Sequence, residues 1–168
     1  MNNIINTNKG MYAEEIVNRT ISYYLQSNVG LIEKRNIPFK IIRAMENNMF
    51  VGKLLDKSLV DYTGFINDKH VEFEVKETSD DKFALNKIKP HQLDYLLRCL
   101  KTKILAFVII YFHKHEQFFV LPISWIAKHL EQKNKTIPYQ EIKNNCLSLP
   151  IIYPGIIDLE QAINVISK

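Results

Sequence analysis

The run His70-Val71-Glu72-Phe73-Glu74-Val75-Lys76 alternates apolar and charged residues after its first position. Side chains of an extended strand alternate between faces. Val71, Phe73 and Val75 therefore share one face, and Glu72, Glu74 and Lys76 share the other. A face of two carboxylates and an ammonium reads in two ways. It is either the solvated side of an antiparallel sheet or a place for metal-assisted chemistry on a phosphate. The preceding run bears on the choice. Leu59 to Ile66 leads into Asn67-Asp68, a hairpin turn signal. Across a two-residue turn the opposed residue numbers sum to 135, which sets Asp61 against Glu74. Opposed Cβ atoms lie ~4.5–5.5 Å apart, and like charges so placed repel. A divalent cation turns that repulsion into coordination, and Mg²⁺ is commonly held by one or two carboxylates plus water and phosphate. Lys76, one alternation from Glu74, is within reach of the same phosphate. Gly64 is where a bulge would shift this register.

The elements that must hold these residues follow from periodicity. Tyr12 to Leu25 is helical, with Ala13, Val17, Ile21 and Tyr24 on one stripe. Glu14 heads a neighbouring stripe with Val17, Ile21 and Leu25. An acid there is either a solvated first-turn residue that favours the helix N-terminus or one that needs a cation to offset its desolvation. Val29 to Glu33 reads as a short strand. Pro90 to Leu100 reads as a helix with proline near its start. Ile104 to Phe112 is a strand buried on both faces, followed by a strand at Gln117 to Ile123. Ser124 is a candidate cap for a helix to about Gln132, Ile137 to Tyr153 reads as loop-rich, and Asp158 caps a last helix. The expected fold is α/β, a mixed β-sheet flanked by helices.

The stretch Lys34 to Lys57 stands apart. It carries six basic residues (Lys34, Arg35, Lys40, Arg43, Lys53 and Lys57) against two acids, with polar Ala44 to Asn48 between two apolar-basic arms. It reads as an extended two-armed projection, with a solvated charged hairpin as the plainer alternative.

Composition narrows the function classes. The 168 residues, 46% hydrophobic and 24% charged, suit one globular domain rather than disorder. No apolar run reaches the ~18 residues of a membrane span, and the Asn-rich start shows no signal-peptide pattern. Two cysteines make no disulfide framework, so a reducing cytoplasmic setting is expected. A net charge of +4 permits a nucleic-acid partner without demanding one.

Asp61…Glu74-x-Lys76 on a hairpin resembles the PD-(D/E)xK nuclease superfamily. The wider text is more specific: Gly10-Met11 before the first helix, Asp61-Tyr62-x-Gly64, Glu72 to Thr78, then His91-Gln92. From about Lys9 to Ile166 the chain is similar to the RecU-type Holliday junction resolvases of low-GC Gram-positive bacteria and their wall-less relatives. The resemblance implies a restriction-endonuclease-like core with a protruding basic stalk, the insertion at 34–57. It implies a homodimeric, metal-dependent endonuclease that cuts four-way DNA junctions by paired nicks. Asp61 and Glu74 match the family's metal-binding carboxylates and Lys76 its catalytic lysine. Gln92 matches a glutamine that orders the site, and Glu14 a first-helix acid near the metal. The implied ion is Mg²⁺ or Mn²⁺, bound by Asp61 and Glu74 with the Val75 carbonyl, and with Glu14 and Gln92 as further metal-site residues. The implied DNA contacts are the stalk's Lys34, Arg35, Lys40, Arg43, Lys53 and Lys57. A recombinase stands as a candidate partner.

The chain departs from the family in three places. Leu59-Val60 replaces a common Thr-Thr, Leu54-Leu55 replaces stalk aromatics, and the basic N-terminal arm is reduced to Asn8-Lys9. Two other readings therefore stay open: a nuclease acting on linear duplex, and a non-catalytic DNA-binding or recombinase-modulating protein on a degenerate nuclease fold. His113 and His115 read as residues of an exposed turn, Tyr23-Tyr24 and Phe118-Phe119 as core or dimer surface, and Trp125 as an anchor for its helix. His91 reads as a helix-start residue or one behind the site.

Overall fold

The computed structural model describes residues 11–36, 38–47, 49–54 and 59–167. The expectations placed on Asn8, Lys9, Gly10, Leu55 and Lys57 fall outside them. In chain order the elements are α1 (Tyr12–Gln26), β1 (Gly30–Lys34), β2 (Phe39–Ala44), β3 (Phe50–Leu54), β4 (Tyr62–Ile66), β5 (Lys69–Thr78) and β6 (Lys82–Ala84). A 3₁₀ turn (Leu85–Lys87) leads to α2 (Pro90–Cys99), β7 (Leu105–Phe112), β8 (Gln117–Pro122), α3 (Ile123–Glu131) and β9 (Thr136–Pro138). The chain ends through α4 (Tyr139–Asn145), β10 (Leu147–Leu149), β11 (Ile151–Ile152), β12 (Ile156–Ile157) and α5 (Leu159–Ile166).

Six strands form a sheet in the order β1-β4-β5-β7-β8-β10. β5 and β7 run parallel, and the other pairs are antiparallel. The sheet is mixed because the chain crosses from β5 to β7 through α2. A parallel neighbour needs such a crossover, whereas the Asn67-Asp68 turn gives β4 and β5 antiparallel pairing. Asn67 takes a φ of 51°, the left-handed turn conformation that asparagine tolerates well.

Two apolar cores form, one on each face. Against α1 and α5 lie Val71, Phe73 and Val75 of β5 with Phe107 and Ile109 of β7. The rings of Tyr62, Phe73 and Phe107 stack across three strands with centroids 4.9 and 5.0 Å apart. Against α2 and α3 lie Val60, Ala106, Val108, Ile110, Phe119 and Leu121. β7 feeds both cores, which is why its sequence is a continuous apolar run rather than an alternation.

The structure corrects several sequence expectations. Residues 137–153 are not loop-rich, since they hold α4 and β10, and β10 closes one edge of the main sheet. β6 and β9, neither of them expected, pair with each other. Ser124 lies inside α3 rather than capping it; the N-cap position is Pro122. Asp158 does cap α5, accepting the Gln161 N–H at 2.9 Å. In α1 the buried stripe is Ala13, Ile16, Val17, Thr20 and Tyr24, and Leu25 is exposed.

β2 and β3 pair only with each other, as a two-stranded antiparallel sheet with an irregularity between Ile41 and Arg43. Nearly every residue of this hairpin is exposed, including Phe39, Ile41, Ile42, Phe50 and Leu54. Lys40, Arg43 and Lys53 lie on the same two strands.

Candidate active site

The β4–β5 ladder keeps the register read from its turn. Tyr62 opposes Phe73, Thr63 opposes Glu72 and Gly64 opposes Val71, with no bulge. Gly64 is there because β1 passes close by: a Cβ on it would sit 2.1 Å from the Leu31 carbonyl oxygen. β4 begins at Tyr62, so the ladder stops one step short of Asp61, while β5 runs on to Thr78 beside β7 alone. The opened edge is where the charged residues meet. The Asp61 N–H donates to the Glu74 carboxylate at 3.1 Å instead of to a strand carbonyl.

Three groups converge on Glu74. Its Oε1 accepts from the Gln92 amide at 2.8 Å and from the Lys76 ammonium, and the Lys76 Nζ also lies 3.9 Å from Asp61 Oδ2. The orientation of Gln92 comes from its place in α2. Its Oε1 accepts the Lys89 N–H at 3.1 Å at the helix start, and its NH₂ is left pointing at Glu74. In this arrangement Gln92 orders the carboxylate and spends its own oxygen on the cap. Val75 sits between Glu74 and Lys76 at the edge of the adjoining cleft, with its side chain in the α1-side core.

The solvated-face reading of Glu72, Glu74 and Lys76 is overturned. Glu72 and Glu74 are 1% and 0% exposed, on the face that α2 covers. Burial, with the Asp61 carboxyl beside it, pushes the Glu74 carboxyl up from 4.5 to about 8, while Lys76 pulls the other way. Burial also raises the Tyr62 phenol, and the charges of Glu14, Asp61 and Glu74 push it further. That hydroxyl donates to Asn18 Oδ1 at 2.9 Å.

These residues suit a hard divalent cation. Asp61 and Glu74 are oxygen donors brought together with a single ammonium between them, and the cost of ionising Glu74 there is what a bound cation would offset. Among the described residues no group of three acid, histidine or cysteine side chains forms a metal cluster by itself. Glu14 lines the adjoining cleft with Lys76, yet its carboxylate is engaged by Lys34 at 2.5 Å. The pH behaviour follows from the raised Glu74. Between about pH 4.5 and 8 the folded chain holds a proton that the unfolded chain releases, so stability falls as pH rises through that window. A cation competes with the proton. Mg²⁺ or Mn²⁺ is therefore expected to raise the melting temperature more near pH 8 than near pH 5, and equal shifts in a thermal scan would contradict this.

Arg35 has a partner that the sequence did not disclose. Its guanidinium meets the buried Glu72 carboxylate at 2.8 Å, and the same oxygen accepts from Thr63 at 2.8 Å with His70 at 3.5 Å. The guanidinium lies 5.6 Å from the Tyr95 ring centre, and the Arg35 N–H donates to the Asp61 carbonyl at 2.8 Å. Arg35 thus ties β1 to the strand carrying Glu74 and holds Asp61 in place. Arg35→Met is expected to cost stability near the lower end of the ~3–5 kcal/mol for orphaning a buried partner. Lys40→Met on the exposed hairpin is expected to cost almost nothing. Denaturant unfolding of the two variants checks this, and equal midpoints would refute it.

The turn histidines are not free either. His113 Nε2 lies 2.6 Å from Glu77 Oε2, and His115 Nε2 lies 2.9 Å from Asp81 Oδ1 with its ring stacked on Tyr139 at 3.5 Å. His91 opens α2 beside Pro90, and Trp125 packs edge-on against His129 within α3. Of the Leu59-Val60 departure, Val60 is buried in the α2-side core and Leu59 is exposed.

Comparison with known proteins bears on this assembly. The family described as RecU, recombination protein U, matches residues 8–165. The chain belongs to the RecU family. A relative from Ureaplasma parvum named Holliday junction resolvase RecU is 33% identical over 160 residues, covering 95% of this chain and 94% of that one. The RecU of Mycoplasmopsis pulmonis is 34% identical over 155 residues, covering 92% and 93%. The structure of Archaeoglobus fulgidus Hjc, an archaeal Holliday junction resolvase, aligns with a TM-score of 0.48 at 12% identity, covering 86% of this chain and 96% of that one. The RecU match runs through α1, the β2–β3 hairpin, the β4–β5 site and α2, so every element that positions Glu74 lies within the family's span.

Proposed function

We propose that this chain is a metal-dependent endonuclease that resolves four-way DNA junctions by paired symmetric nicks, on a restriction-endonuclease-like core. The observation that carries the reading is the convergence of Asp61, Lys76 and Gln92 on the buried Glu74 at the opened edge of β5, in a chain of the RecU family. The relatives from Ureaplasma and Mycoplasmopsis, named as Holliday junction resolvases and matched over nearly their whole length, favour the same substrate.

The residues divide the work. Asp61, Glu74 and the Val75 carbonyl would hold Mg²⁺ or Mn²⁺, with Glu14 nearby, and the ion would supply an acidified water and neutralise charge on the phosphate. Lys76, at the mouth of the site, faces the charge that develops on the phosphate oxygens. Gln92 holds the Glu74 carboxylate at one angle, with its own amide fixed by the start of α2. The buried sheet beneath fixes Glu74, and the Asp61 N–H bonded to that carboxylate keeps Asp61 beside it, so the groups are set before substrate arrives.

Binding is assigned to the β2–β3 hairpin as the stalk. Lys40, Arg43 and Lys53 offer phosphate contacts, which position DNA without reading sequence. The exposed Phe39, Ile41, Ile42 and Phe50 offer apolar surface to the opened centre of a junction. Lys34 and Arg35 sit at its root, paired with Glu14 and Glu72, so their share in DNA binding is smaller than that of the hairpin. Two copies related by a two-fold axis match the symmetry of an open junction, so the working form is a homodimer in the cytoplasm, where chromosomal DNA lies.

The test is a labelled synthetic four-way junction beside linear duplex of the same sequence, with and without Mg²⁺ or Mn²⁺. Paired nicks on the junction alone, only with metal, are expected. Equal cutting of the linear duplex would favour a duplex nuclease. Tight junction binding with no cutting under either metal would leave a DNA-binding protein.

A further inference from the structure

A cleft adjoins the site at the far end of β5, bordered by Glu14, Lys76, Glu77, Ser79, Lys87 and His113. Two of its other basic side chains are already committed. The Lys76 ammonium serves Glu74 and Asp61, and the His113 ring is clamped by Glu77. Lys87 differs. It sits in the 3₁₀ turn ahead of α2, and its Nζ donates to the Glu77 backbone carbonyl at 2.9 Å. The Glu77 carboxylate, which could have neutralised it, is spent elsewhere. Its oxygens lie 2.5 Å from the Ala13 N–H at the head of α1 and 2.6 Å from His113 Nε2. Among the described residues Lys87 forms no ion pair. A neutral acceptor therefore fixes a full positive charge in the cleft wall without cancelling it.

An ammonium so held is a compact point charge with two of its three donors left for an anion. Its place on the wall, at the Glu77 carbonyl one residue past Lys76 on β5, suits a second anion beside the one that Lys76 faces. We propose that Lys87 binds the DNA phosphate next to the one that is cut, and that this cleft is the track of the cleaved strand. The assignment rests on the endonuclease reading above. Lys87 sets which phosphodiester reaches Lys76, while the hairpin supplies most of the affinity for the junction.

The test uses the full chain with a labelled four-way junction under single-turnover conditions, comparing wild type, Lys87→Met and Lys87→Arg. Lys87→Met is expected to slow cleavage roughly 10- to 100-fold, the scale of lost substrate positioning. Its nicks should also spread to neighbouring phosphodiesters, while metal-free junction binding and the melting temperature stay near wild type. Lys87→Arg, which keeps the charge, should restore most of the rate and the sharp cut. A wild type that cuts alongside a Lys87→Met that cuts the same bond at the same rate would overturn the assignment. So would a loss of rate that simply follows a lowered melting temperature. A wild type inert on every junction would overturn the endonuclease reading itself, which is a separate result.

Discussion

Glu74→Gln is expected to reduce junction cleavage by more than about 10³-fold while leaving junction binding nearly unchanged. Glu74 is the point where the Asp61 N–H, the Gln92 amide and the Lys76 ammonium all end, and its neighbour across the hairpin is a second acid. A neutral amide keeps the volume but removes the charge on which the proposed metal would depend. Gln92→Ala should cost less, about 10- to 100-fold, as losing an outer partner of a ligand typically does. Removing the buried carboxylate also relieves its desolvation, so Glu74→Gln should unfold at the same temperature as wild type or higher. The pair of measurements is a single-turnover assay and a metal-free gel shift. Asp61→Ala should match Glu74→Gln in both. A Glu74→Gln chain that still cut at the wild-type rate would remove Glu74 from the mechanism.

Removing the charges of Arg43, Lys53 and Lys57 together is expected to weaken junction affinity and flatten its dependence on salt. Each phosphate contact releases condensed counterions, so each lost contact should reduce the slope of log affinity against log salt by about 0.9. Arg43 and Lys53 are on the exposed β2–β3 strands, and no ion pair holds either among the described residues. Single-turnover cleavage at saturating protein should change far less than affinity, since the hairpin is separate from the sheet that carries Glu74. A gel-shift titration across salt checks this, and an unchanged slope would show that the DNA is held elsewhere.

Much of the site was legible because its logic is local. Asn67-Asp68 fixes a two-residue turn, a strand has period two, and together they set Asp61 against Glu74 without any tertiary information. The observed pairing of Tyr62 with Phe73 continues to that same opposition. The hairpin insertion was legible for a similar reason, as two arms flanking a polar centre. The burial of the acidic face was not legible, because Glu72-x-Glu74-x-Lys76 has the same pattern whether water or a helix covers it. Only the crossover through α2 and the reach of Gln92 decide that. Arg35 read as one more stalk charge, since its partner Glu72 lies 37 residues away. The histidines of the 113–116 turn likewise read as exposed, because Glu77 and Asp81 come to them from a neighbouring strand end and loop. Residues 137–153 escaped because α4 has seven residues and β10 three, too short for periodicity to show.

The most direct measurement is a crystal of the full chain soaked in Mn²⁺, with diffraction recorded for the anomalous signal of manganese. A peak between the Asp61 and Glu74 carboxylates, close to the Val75 carbonyl and lost in Glu74→Gln, is the expected result. A soaked crystal with no manganese there, or with Asp61 turned to the opposite face of the sheet from Glu74, would contradict the assignment of this hairpin as the catalytic centre.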